Sequence, residues 1–120
     1  MAHARRYFEK ALDNDSQRAG YVLGEMQQLY SIERNAREKG IDFETRKRYR
    51  SLYASPILLG LEKWLKKNMS IVLPKSAIGK AISYTLNLWP KLIGYIKDGK
   101  YEIDNNLIEN AIRPLALGYA

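Results

Sequence analysis

Apolar residues recur at intervals of three and four along almost the whole chain, and that spacing constrains the fold more than any other feature. An α-helix turns about 100° per residue, so such spacing gathers the apolar groups on one side, whereas a half-buried strand needs strict alternation. The clearest run lies between about Gln17 and Lys39, where Val22, Leu23, Met26, Leu29, Tyr30 and Ala36 form the stripe. Gly40 supplies its C-terminal stop. Strand signals are confined to Ile71-Val72-Leu73 and Tyr101-Glu102-Ile103, each too short to make a sheet alone. The predicted class is mainly α.

The other stripes follow the same rule. From His3 to about Asp13 a first helix turns Tyr7, Phe8, Ala11 and Leu12 inward and Arg5, Arg6 and Lys10 outward, and Asp13-Asn14-Asp15-Ser16 caps the next helix. Asp42 caps a third helix in which Phe43, Tyr49, Leu52, Tyr53, Ile57, Leu61, Trp64 and Leu65 recur up to about Asn68, with Pro56 bending or splitting it near Ala54-Ser55. The cluster Arg46-Lys47-Arg48-Tyr49-Arg50 reads as a solvated outer face, with Glu33, Glu38, Asp42 and Glu44 near it. Met69 to Leu73 is an apolar connection with the composition of an extended segment. Pro74 or Ser76 opens a fourth helix with Ile78, Ala81, Ile82, Thr85, Leu88 and Trp89 inward. Trp89-Pro90 is expected to interrupt it, leaving a short fifth helix with Leu92, Ile93 and Ile96. The two long helices either side of Gly40-Ile41 suggest an antiparallel hairpin with the later helices packed across it.

A chain of 120 residues, 46% of them hydrophobic, is about one domain with enough apolar surface for a core. It contains no cysteine, which excludes disulfides and thiolate metal sites, and its single histidine excludes a histidine-rich one. No apolar run reaches the length of a membrane span and no signal-peptide core opens the sequence, so a soluble, cytoplasmic protein is expected. The net charge of +7 is concentrated: between Lys63 and Lys100 stand eight lysines and one acid, and elsewhere bases and acids cancel. Such a region attracts phosphate backbones through counterion release. It equally suits a lysine-rich solvated surface, and composition leaves both open.

The stretch Asp98 to Gly118 departs from this generic helical pattern. Asp98-Gly99 makes a turn, Asp104 is an N-cap, and Pro114 ends or kinks the helix that follows. On that helix Asn106, Glu109, Asn110 and Arg113 share one side, and Leu107, Ile108, Ala111, Ile112 and Leu115 the other. Taken by itself this is an amphipathic helix with a weak Glu109–Arg113 pair.

The run Asp104 to Pro114 nevertheless resembles the segment around the last catalytic acid of insertion-sequence transposases, and specifically the insertion sequence 66 family. Two further stretches agree in order: Ala2-His3-Ala4-Arg5-Arg6-Tyr7-Phe8, similar to the family's Ala-His-Ala-Arg-Arg-x-Phe, and Leu73-Pro74-Lys75-Ser76 with Gly79-Lys80-Ala81. The resemblance implies a DDE-type catalytic region of RNase H-like architecture, of which residues 1–120 would be the C-terminal helical part, a single unit of five to six helices.

It further implies that Glu109 is the third acid of a Mg2+ or Mn2+ site for DNA cleavage and strand transfer. Arg113, Asn106, Asn110, Lys75 and Lys80 become candidate DNA contacts. The family's two aspartates lie upstream of Ala-His-Ala-Arg-Arg, and Asp13, Asp15 and Asp42 do not stand in strand-like surroundings that would replace them. This polypeptide alone is therefore expected to bind no catalytic metal and to be inactive, with its apolar surface favouring self-association. The competing reading is a basic helical module that binds nucleic acid or protein without catalysis.

Overall fold

The computed structural model describes residues 1–97. They form helices α1 (Ala2–Lys10), α2 (Ser16–Glu38), α3 (Phe43–Tyr49), α4 (Ser55–Met69) and α5 (Ala77–Lys97), with a π-helical turn, Arg50–Ala54, between α3 and α4. Tyr49, Arg50 and Ser55 all keep right-handed helical dihedrals, so residues 43–69 are one continuous rod. No strand occurs among the described residues, and Ile71-Val72-Leu73 lies in turns. There the Asn68 carbonyl accepts from the amides of Ile71 and Val72, both at 3.0 Å, which closes the chain back on α4 rather than extending it.

Local chemistry sets the ends of these elements. Asp15 accepts the Arg18 amide at 3.1 Å and Asp42 accepts the Thr45 amide at 2.8 Å, so both expected caps satisfy donors that a helix start leaves open. Gly40, at φ 61°, follows the end of α2 in a conformation that a side chain would strain. The Ser76 hydroxyl accepts the Gly79 amide at 3.1 Å, and Asn14 Oδ1 reaches across to the Ile78 amide at 3.0 Å. The start of α5 is thus capped both by its own chain and by the α1–α2 turn. Gly79 is also sterically required: a Cβ there would run into the Leu73 carbonyl oxygen.

One core joins the helices. Phe8 and Ala11 from the first segment meet Val22, Met26 and Leu29 of α2, Leu58, Leu61 and Leu65 of α4, and Ile82, Leu88 and Leu92 of α5. Full burial of each large side chain contributes about 1.5–3 kcal/mol. Three contacts fix the direction of the central pair: Arg18 with Asn68, Tyr21 with Trp64, and Glu33 with Arg50. Residue numbers rise along α2 as they fall along the 43–69 rod, so the expected antiparallel hairpin is present. Similarly, Tyr7 stacks on Tyr84 and Asn14 bonds Ile78, so α1 and α5 are antiparallel.

The two prolines behave differently. Pro56 cannot donate to the Leu52 carbonyl, and its ring crowds that oxygen. The chain responds with the wider turn, in which the Ser55 amide donates to Arg50 five residues back, and α4 then starts with Pro56 in its first turn. Pro90 does not interrupt its helix, contrary to expectation: α5 runs through it to Lys97. Leu88, Trp89 and Leu92 are buried on either side of Pro90 while the ring itself faces outward. That packing offsets the roughly 3 kcal/mol a mid-helix proline costs.

Several expected inward residues are exposed. Leu12 lies beyond α1, which ends at Lys10 rather than near Asp13. Phe43 stands at the first position of α3 beneath the Arg46 guanidinium, 5.7 Å from its ring centre. Leu52 and Tyr53 fall in the π turn, where one extra residue rotates the stripe away from the core. Arg50 errs in the other direction: expected on the outer face, it is fully buried.

Candidate nucleic-acid interface

Buried groups on α4 and α5 define, by exclusion, where their lysines point. On α4, Leu58, Leu61, Leu65 and Asn68 face the core, and Lys63, Lys66 and Lys67 emerge on the opposite side. Lys66 is shared with Glu62 at 3.3 Å. On α5, Lys80 and Lys91 are exposed on one stripe, opposite Ile82, Thr85 and Trp89. They lie about 16 Å apart along the axis at 1.5 Å per residue. Lys75 is exposed in the α4–α5 connection, one residue before the Ser76 cap. The structure therefore places Lys75 and Lys80 on either side of that cap. Glu109, Asn106, Asn110 and Arg113 lie outside the described residues.

The cations of α5 are continued by α1. His3, Arg6, Tyr7 and Lys10 occupy one arc of about 100° on α1, and they line a shallow depression of about 270 Å³. Glu9 is the single acid of α1 and falls on its other flank, where it joins Arg5 and residues of α2 around a second depression. Helix α5 contains no acid at all from Ala77 to Lys97. Tyr7 lies against Tyr84, ring centres 4.6 Å apart and planes 22° from parallel, and this pair bridges the two helices. Sequence periodicity had assigned Tyr7 to the core; one-dimensional spacing carries no sign of its stacking partner 77 positions away.

Among the described carboxylates, Asp15, Asp42 and Glu33 have structural partners. No group of three or more histidine, cysteine, aspartate or glutamate side chains comes together among the described residues. Asp15 is held below the ordinary carboxylate range by the Arg18 side chain and amide, and Asp42 by the Thr45 amide. Both are helix caps. Glu33 is buried and binds Arg50 through two contacts, Oε1 to Nη2 at 2.6 Å and Oε2 to Nε at 3.0 Å, which suits a structural clamp. The sequence contained a sign of it, since Glu33 falls on the buried stripe four residues after Leu29 and three before Ala36.

The family model described as "Transposase IS66 family" matches residues 1–119, nearly the full length. The chain belongs to that family. Among its relatives are three proteins of Sinorhizobium fredii (strain NBRC 101917 / NGR234). One described as "Uncharacterized protein y4jD" is 33% identical over 118 residues, which are 98% of this chain and 23% of the relative. A second, y4hP, is 29% identical over 130 residues, 98% of this chain and 23% of its own length. A third, y4qI, is 33% identical over 114 residues, 94% and 21% respectively. This IS66-family chain thus spans less than a quarter of the curated relatives it matches. No solved structure matches it significantly. None of the described helices is long and apolar enough to cross a membrane.

Proposed function

We propose that the chain is the C-terminal helical part of a DDE-type transposase catalytic region, RNase H-like in the complete protein, acting on DNA in the bacterial cytoplasm. The observation that carries this reading is the family match over residues 1–119, which takes in the segment Asp104 to Pro114. Residues 1–120 are read as one helical unit. In it Glu109 serves as the third acid of a magnesium or manganese centre, and Asn106, Asn110 and Arg113 are candidate DNA contacts. The described residues do not assemble a metal site, so no catalytic step is assigned to them. Lys75, Lys80 and the other outward lysines support the DNA contact, because cationic faces gain affinity by releasing counterions from phosphates. Self-association is part of the same reading, supported by Leu52 and Leu59, 68% and 57% exposed on the outside of the 43–69 rod.

The test is Glu109→Gln in a complete transposase containing this segment. Excision and strand transfer are expected to fall at least about a hundredfold, in the range seen when a group acting on the developing charge is removed, while DNA binding and protein level persist. Unchanged transposition overturns the assignment of Glu109. A lone carboxylate cannot complete a two-metal site, so the 120 residues by themselves are expected not to nick DNA. Magnesium-dependent nicking by the wild-type chain, abolished by Glu109→Gln, contradicts that expectation.

A further inference from the structure

We propose that the seam between α1 and α5 is a single-stranded DNA site, in which the Tyr7–Tyr84 pair supplies a stacking surface for a nucleobase and Arg6, Lys10, Lys80 and Lys91 hold the flanking phosphates. It rests on the reading of the protein as one that acts on DNA, and goes beyond it by naming the surface and the strand state it accepts.

Antiparallel packing decides how the cations are arranged about the rings. Tyr7 meets Tyr84, and further along α1 Asn14 meets Ile78. Lys10 and Lys80 therefore lie toward one end of the seam, with Arg6 and Lys91 toward the other. Lys80, Tyr84 and Lys91 fall within about 40° of one another on α5 at 100° per residue. All four cations are exposed. The aromatic pair thus stands at the middle of a cationic track built from two helices, and neither helix places an acid on it.

The open face of Tyr7 favours an unpaired strand over a duplex. Tyr7 is 38% exposed, so part of its ring remains open although it stacks on Tyr84. A base can take up an open aromatic face only when it is not already stacked and paired within a helix, whereas phosphates of either form satisfy lysine and arginine. Cations without rings would bind both forms through charge alone. The coincidence of the two is what selects the single strand.

The experiment titrates the 120-residue chain with a fluorescently labelled single-stranded oligonucleotide and with its duplex at several salt concentrations. Tyr7→Ala is expected to weaken single-strand binding roughly 5- to 150-fold, as loss of one stacked base does, and to leave duplex binding within about twofold. Tyr7→Phe retains the ring and is expected to restore the affinity. Lys80→Ala and Lys91→Ala are expected each to reduce the steepness of log affinity against log salt by about 0.7, the value for one single-strand phosphate.

Circular dichroism and the thermal midpoint identify any variant that loses its fold, in which case Tyr7→Phe and the lysine variants carry the test. Wild-type binding to both DNA forms that Tyr7→Ala leaves unchanged overturns this site while leaving DNA as the protein's substrate. Equal weakening on single strand and duplex overturns the stacking role. Equal competition by polyglutamate shows a general anion surface and overturns the site. Absence of any DNA binding by the wild-type chain removes the site, whereas the DNA-processing reading itself stands or falls with Glu109→Gln in the complete transposase.

Discussion

The antiparallel pair formed by α2 and the 43–69 rod is fastened at each end by an arginine, which reaches the Asn68 side-chain amide at one end and the Glu33 carboxylate at the other, and the two fastenings work by different physics. Near one end Arg18 lies between Asp15, at 2.7 Å, and Asn68 Oδ1, at 2.8 Å, with 34% of its side chain in water. At the other end Arg50 and Glu33 are buried, 0% and 7% exposed. Water competes for the first pair, screens it and also substitutes for it when it breaks. The second has no such substitute. Its cost is desolvation, and its two-pronged geometry is what makes the buried charges tolerable.

The largest effect that tests this contrast is Arg50→Met. It removes the Nη2 and Nε donors of Arg50 from the buried Glu33 carboxylate, and about 3–5 kcal/mol of unfolding free energy is expected to disappear in urea titration. Joint replacement, Glu33→Leu with Arg50→Met, is expected to recover most of that loss, because both charges of the buried pair are removed together. A single-variant loss below about 1 kcal/mol would put the inner pair in the same energetic class as a surface bridge.

The same contrast explains what could be read in advance. Surface caps depend on a few neighbours in sequence, so Asp42 and Gly40 were legible from type and position, and the cap of α2 was legible as the cluster Asp13-Asn14-Asp15-Ser16, within which the structure selects Asp15. The core stripe of α2 was legible for the same reason, through Val22, Met26 and Leu29. Arg50 was not, because its direction depends on the π turn that follows it, and that turn answers a proline six residues later. Trp89-Pro90 misled in the opposite sense, since local propensity gave way to packing by Leu88 and Leu92. The cationic character of α5 was visible in composition, but its continuation onto α1 was not. The packing of Tyr7 on Tyr84 is what sets the cations of α1 alongside those of α5. The acid at Glu109 was singled out by family resemblance, and its position lies outside the described residues.

At the outer fastening, Asp15→Ala removes the acceptor of the Arg18 amide and the partner of its guanidinium together. The expected loss is about 1 kcal/mol, typical of an N-cap, and Asp15→Asn is expected to keep most of it because the amide oxygen still caps. Retention of full stability by Asp15→Ala would assign the organisation of this end to Asn68, whose side chain also donates to the Trp64 carbonyl at 2.9 Å.

The smallest expected effect is a pH dependence that separates the ends. Arg18 lowers the pKa of Asp15 in the folded state, chiefly through its side-chain hydrogen bond, and the Thr45 amide lowers that of Asp42. Between the folded and unfolded values the unfolded chain binds more protons, so stability rises with pH there. The stabilisation is complete above the unfolded value and is lost as pH falls through the folded one. Urea midpoints of the wild type are therefore expected to decline on acidification below about pH 5. Asp15→Asn and Asp42→Asn cannot titrate, so each is expected to decline less steeply, and parallel curves for the three proteins would show that neither cap contributes to the acid sensitivity. Because both caps are solvent-accessible, added salt should shrink the Asp15 contribution, which depends on the Arg18 charge, more than the Asp42 contribution, which depends on a backbone amide.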